Sequence, residues 1–184
     1  QGSQMHLSQA IVLKLKSYGV KFIFGVPGGG SSLDLIAEAD KAGLQFILCR
    51  GETSAALMAS VVGEVTGTPG VVITGVGPGV ASAVNGVAYA WLERAPLILI
   101  CDSRDQTSYF APHQVFDQKA LFRPITKNSR TIDPEGGMES LQTLIELALA
   151  KPYGPVMAEL STYDASQIAN VKVSRLYQSM VSLK

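Results

Sequence analysis

The chain has 184 residues, 47% of them hydrophobic, which is enough for one domain with a substantial apolar core. Fifteen basic and fifteen acidic residues cancel, and no basic run is interleaved with aromatics, so the electrostatic footprint of a nucleic-acid or anionic-membrane binder is missing. The longest apolar runs, such as Ala95-Pro96-Leu97-Ile98-Leu99-Ile100-Cys101, are too short to span a bilayer, and no charged segment followed by an apolar one opens the sequence. A soluble, cytoplasmic protein without nucleic-acid or membrane partners is the expectation.

Along the chain, helical and strand-like periods alternate. Ala10, Ile11, Val12, Leu13 and Leu15 belong to a helix stopped at Gly19, and residues 21–24 read as a first strand. Ser31-Ser32 can cap a helix carrying Leu33, Leu35, Ile36 and Ala39 that stops at Gly43, before a second strand at 44–49. A helix over 53–65 closes at Gly67, and Pro69-Gly70 turns into a strand at 71–74. A helix over 80–92 and a strand over 97–101 follow. After an irregular stretch from Asp102 to about Arg130, a helix over 138–150 leads into a strand at 155–160. Apolar strands separated by helices predict a doubly wound α/β fold, with a mostly parallel sheet flanked by helices on both faces. Strand 97–101 is expected to be central. Cys49 and Cys101 each end an apolar run with no CxxC spacing and no nearby His, so they read as buried core thiols.

Chemistry concentrates at the ends of three strands. Glu52 follows the second strand at the threshold of a helix of small residues, where burial is expected to raise its proton affinity. Two glycine loops flank it, Gly25-Val26-Pro27-Gly28-Gly29-Gly30 and Gly75-Val76-Gly77-Pro78-Gly79, each directly after a strand. In an open parallel sheet this is where ligands bind, so the three segments outline an acid in a cleft walled by bare backbone. Neither loop is a nucleotide fingerprint. The third glycine of G-x-G-x-x-G falls on Val80 in the second loop, and Gly30 is followed by Ser31-Ser32 without the lysine of a P-loop.

Phe24-Gly25-Val26-Pro27-Gly28-Gly29, Arg50-Gly51-Glu52 with Ala55-Ala56-Leu57-Met58-Ala59, Thr66-Gly67-Thr68-Pro69-Gly70-Val71, Gly77-Pro78-Gly79, Arg94-Ala95-Pro96-Leu97-Ile98 and Phe122-Arg123-Pro124-Ile125-Thr126-Lys127 occur in this order. The ordered set, from about Leu7 to Leu160, resembles the N-terminal pyrimidine-binding domain of thiamine-diphosphate-dependent enzymes of the acetolactate synthase, benzaldehyde lyase and 2-keto acid decarboxylase group. The resemblance implies thiamine diphosphate as cofactor, held here by its pyrimidine half. It makes Glu52 the catalytic glutamate that hydrogen-bonds the aminopyrimidine ring, and places Pro27, Gly28, Gly77, Pro78 and Gly79 beside the cofactor. Gly29, Gln114 and His113, within Ala111-Pro112-His113-Gln114, fall where relatives approach the substrate. Two positions depart from the usual pattern: Gly51 stands where many relatives carry histidine, and Val61-Val62 where a glycine-aromatic pair is common.

In such enzymes Mg2+ and the diphosphate are held by a Gly-Asp-Gly motif of a separate domain, and that motif does not occur in this sequence. No metal ligand is therefore assigned here, and Mg2+ is expected on a diphosphate-binding domain of the same or another chain. The resemblance implies a lyase or transferase acting on 2-keto acids, assembled as a homodimer or higher oligomer, with this chain inactive alone. One alternative is a separate α-subunit of a two-chain decarboxylase similar to sulfopyruvate decarboxylase; another is a non-catalytic assembly module. Residues 1–4 read as a remnant of cloning, 5–165 as the pyrimidine-binding domain and 166–184 as the start of an interdomain linker.

Overall fold

A computed structural model describes residues 4–104 and 113–169. The expectations for residues 1–3, for Ala111 and Pro112, and for the linker beyond Ala169 lie outside the described residues. In chain order the elements are α1 (Leu7–Ser17), β1 (Phe22–Gly25), α2 (Ser31–Ala42), β2 (Gln45–Leu48), α3 (Glu52–Thr66), β3 (Gly70–Thr74), α4 (Pro78–Ser82), α5 (Val84–Glu93) and β4 (Leu97–Ser103). They continue with α6 (Gln118–Phe122), a 3-10 turn (Arg123–Ile125), β5 (Ser129–Thr131), α7 (Gly137–Leu149), β6 (Pro155–Ser161) and α8 (Thr162–Ser166). The strands form one parallel sheet in the order β2-β1-β3-β4-β6-β5.

Two apolar cores lie on opposite faces of this sheet. Leu7, Ile11 and Leu15 of α1, Leu35 of α2 and Leu141, Leu144 and Ile145 of α7 pack with Ile23, Val71, Ile73, Ile98 and Val156 of the strands. The other face carries Ala55, Ala56 and Ala59 of α3, Val87 and Ala90 of α5, and Phe122, packed with Val72, Leu97, Leu99 and Met157. Alternate residues of a strand feed opposite cores, which is why β3 and most of β4 are apolar throughout. The expected doubly wound α/β architecture is thus present, and β4 is central between β3 and β6. Both thiols are buried and free.

The structure differs from the expected elements in four places. Strand β2 is not buried throughout; Gln45 and Leu48 are exposed because β2 is an edge strand. The helix expected over 80–92 is broken at Ala83 into α4 and α5, where the Ser82 carbonyl accepts a hydrogen bond from Thr53 Oγ1 at 2.6 Å. The stretch read as irregular contains α6, the 3-10 turn and β5, and the chain after β6 forms the short α8. Gln167 and Ala169 bond back to Leu7 and Met5, so the start of the described chain and its end lie side by side. Among the described residues, no helix is long and apolar enough to cross a membrane.

Candidate functional site

The sheet order reverses between β1 and β3: β2 lies beyond β1 on one side, whereas β4 continues from β3 on the other. Loops leaving the carboxyl ends of two such strands diverge and leave a crevice between them. Here that crevice is a cavity of about 350 Å³ lined by Val26, Pro27, Gly28 and Gly29 after β1, Glu52 after β2, Gly75, Val76 and Gly79 after β3, Asp102 near the end of β4, and Gln114.

Glycine recurs in and behind its walls for a geometric reason. A Cβ on Gly28 would stand 3.3 Å from the Cα of Gly75, closer than side chains usually pack, so glycine eases the approach of the two loops. Gly77 has φ 63°, in the left-handed region, and a Cβ there would overlap the carbonyl of Gln114. From Gly77 the chain enters α4 with Pro78 at its first turn, a position where the missing N–H costs nothing.

Glu52 is the first residue of α3, and its half-buried carboxylate faces the second glycine loop. A Cβ on Gly79 would lie 3.3 Å from Glu52 Oε1. The burial expected for this acid is therefore only partial, since a helix-start residue at the rim of a crevice keeps one side open. Glu52 and Arg50 form no ion pair, so the acid is aimed into the cleft rather than at its neighbouring cation. The helix N-terminus behind it favours negative charge at this position.

Of the residues singled out in the sequence, Pro27, Gly28, Gly29, Glu52, Gly79 and Gln114 line one cavity. Gly77 and Pro78 form the turn behind that wall, and His113 is exposed and outside the lining. Gln114 itself has φ 60°, an uncommon value for a residue with a side chain, which turns its carbonyl onto Gly77.

Two further polar side chains escaped sequence reasoning. Asp102 Oδ1 accepts from Ser31 Oγ at 2.9 Å, so a carboxylate from β4 sits at the start of α2, whose cap residue is Gly30 and not the expected Ser31 or Ser32, because the Ser31 hydroxyl is turned to Asp102. Burial pushes the Asp102 carboxyl above its ordinary value, against the opposing hydrogen bonds from Ser31 and Thr162. Its signal was available: like Glu52, it is an acid at the end of an apolar strand. Gln118 is almost fully buried under the second glycine loop. Below them, burial pushes the Cys101 thiol well up, so it stays protonated.

The chain matches the family model described as "Thiamine pyrophosphate enzyme, N-terminal TPP binding domain" over residues 5–121. It is 31% identical over 169 residues to an acetolactate synthase of Bacillus subtilis, covering 90% of this chain and 29% of that protein. It is also 31% identical over 157 residues to a 2-hydroxyacyl-CoA lyase 2 of Mus musculus, covering 84% of this chain and 25% of that one. A probable 2-ketoarginine decarboxylase of Pseudomonas aeruginosa is 33% identical over 132 residues, 69% of this chain and 23% of its own length. The chain thus spans less than a third of the length of these curated relatives. With the switch-point cleft, the glycine walls and a carboxylate aimed between them, these matches assign it to the thiamine pyrophosphate enzymes, of which it carries the N-terminal TPP-binding domain.

Proposed function

We propose that this chain is the pyrimidine-binding part of a thiamine-diphosphate-dependent lyase or transferase acting on 2-keto acids, and that Glu52 activates the cofactor. The observation that carries the reading is the Glu52 carboxylate facing Gly79 in a cleft lined in part by the glycines Gly28, Gly29, Gly75 and Gly79. A flat heteroaromatic ring needs such walls, because each added Cβ would hold it away from the backbone, and it needs a hydrogen-bonding group at one edge. Gly28, Gly29, Gly75 and Gly79 supply the first and Glu52 the second, so the residues present fit the pyrimidine half of thiamine diphosphate.

When bound, the cofactor supplies an acidic thiazolium carbon and an electron sink for cleaving the bond beside a carbonyl. Glu52 holds a proton in common with a ring nitrogen of the aminopyrimidine, and through that proton controls the basicity of the amino group on the same ring. The Gly75–Gly79 turn would hold the ring next to Glu52 with backbone rather than side chains. Gln114 and Gly29 line the same cavity as Glu52 and are the residues nearest to where substrate is proposed to enter, with His113 exposed outside the lining. Mg2+ and the diphosphate belong to a diphosphate-binding domain of the same or another chain, and residues 5–165 are the unit that docks with it.

Apolar side chains exposed on α3 and α5 support assembly with a second copy. Met58, Val61 and Val65 of α3 and Trp91 and Leu92 of α5 are all exposed, Val65 at 78% and Leu92 at 75%, on two helices that pack together on one face of the sheet. The functional reading is tested on the complete enzyme supplied with thiamine diphosphate and Mg2+. Glu52→Ala should lose most 2-keto acid turnover and weaken cofactor binding; turnover at the wild-type rate would contradict the proposal.

A further inference from the structure

Gln118 is 3% exposed and belongs to α6, a helix of five residues that contributes no lining to the Glu52 cavity. Its side chain reaches the turn behind that cavity: Gly77 N–H donates to Gln118 Oε1 at 2.8 Å. The other end of the amide donates to the Asp102 carbonyl at 3.1 Å and to Glu159 Oε1 at 3.2 Å, with Cys101 Sγ at 3.7 Å. Glu159 in turn pairs with Lys119 at 3.2 Å, and Lys119 donates to Thr131 Oγ1 at 2.5 Å. One buried amide thereby joins the second glycine loop to the ends of β4 and β6.

The chemistry of this position is narrow. It requires an acceptor at one end and two donor hydrogens at the other, which only an amide provides at this length. A buried Gly77 N–H without its acceptor would carry an unmade hydrogen bond, and the turn would relax to recover one. From the other side the Gln114 carbonyl presses on Gly77, so the segment from Gln114 to Gln118 grips the turn between a carbonyl and a side-chain amide. Gly79, two residues on, is the backbone that faces Glu52 Oε1.

We infer that Gln118 is a positioning residue: it fixes Gly77 and thereby sets the Gly77–Pro78–Gly79 turn at the distance from Glu52 that the pyrimidine ring requires. The inference rests on the proposed function for what the turn is positioned toward, but the positioning itself is read without cofactor.

Amide hydrogen exchange at Gly77 in the complete protein, free of cofactor, measures it. Gln118→Met, which keeps the length and removes both ends of the amide, should speed exchange at Gly77 about tenfold while β3 keeps its protection. It should also weaken thiamine diphosphate binding about tenfold. The paired variant Gln118→Glu/Glu159→Gln restores an acceptor for Gly77 and a bond between the two side chains, and should recover most of the protection and affinity lost in Gln118→Met. Unchanged Gly77 exchange in Gln118→Met, acceleration shared equally by Val71 to Thr74, or a paired variant no better than Gln118→Met would each overturn the inference. Wild-type protein that fails to bind thiamine diphosphate would overturn the proposed function instead, a result separable from the exchange data.

Discussion

Asp102 holds its carboxylate in a place that burial makes unfavourable, because that place completes the start of α2. Its folded-state value lies above the ordinary 3.8, so the folded chain binds this proton more tightly than the unfolded chain. By linkage, that excess proton favours folding at low pH, and the contribution is lost as pH rises from about 3.8 through the raised folded value. Asp102→Asn keeps an acceptor for Ser31 and has no charge to bury. Relative to wild type, the variant should therefore gain stability as pH rises through that window, and the difference between the two should be independent of pH above it. Urea unfolding at a series of pH values measures this, and a wild type that gains on the variant with rising pH would contradict it.

At the scale of elements, the two helices beneath the cleft are set by small residues. Ser60 Oγ reaches the Gly86 carbonyl at 3.3 Å, and a Cβ on Gly86 would stand 2.8 Å from the Leu57 nitrogen. Gly86→Ala should destabilise the fold by about 1–3 kcal/mol, since α3 and α5 would have to separate. On the opposite face, Lys127 Nζ donates to the carbonyls of Leu147, Ala150 and Pro152 at 2.5, 2.7 and 2.8 Å and so closes the end of α7. Lys127→Met leaves those carbonyls without this donor and should cost about 1–3 kcal/mol in urea or thermal unfolding. A loss of stability within error of zero for either variant would contradict the corresponding packing or capping argument.

How legible these elements were in the sequence follows from their physics. Strands β3, β4 and β6 and helices α2, α3 and α7 showed themselves through unbroken apolar runs or helical periods, because each is buried along its length or on one full face. Strand β5 did not, since Ser129–Thr131 is half-buried and owes its extension to pairing with β6 rather than to its own side chains. The break between α4 and α5 was equally hidden, because Thr53 acts on Ser82 from 29 positions away. Within the site, Glu52 and the glycine loops were conspicuous as departures from apolar strands. Gln118 was not, because its role depends on Gly77, Asp102 and Glu159 meeting only in the folded chain.

For the molecule as a whole, the exposed apolar residues of α3 and α5 and the Glu52 cleft make separate claims. Leu92→Glu places a charge in the exposed apolar surface of α5, and in the complete protein it should weaken self-association with little loss of protomer stability. Sedimentation velocity showing the same oligomer for variant and wild type would remove α5 from the interface. The central claim is that Glu52 shares its proton with the bound aminopyrimidine. It is tested most directly by deuterium exchange at the thiazolium carbon, with the cofactor bound to the complete enzyme, acid-quenched and read by NMR. Glu52→Gln keeps the size and a hydrogen bond but loses the exchangeable acid, so exchange should slow by about a hundredfold or more while cofactor affinity falls far less. Equal exchange rates in wild type and Glu52→Gln, with cofactor bound in both, would contradict the account.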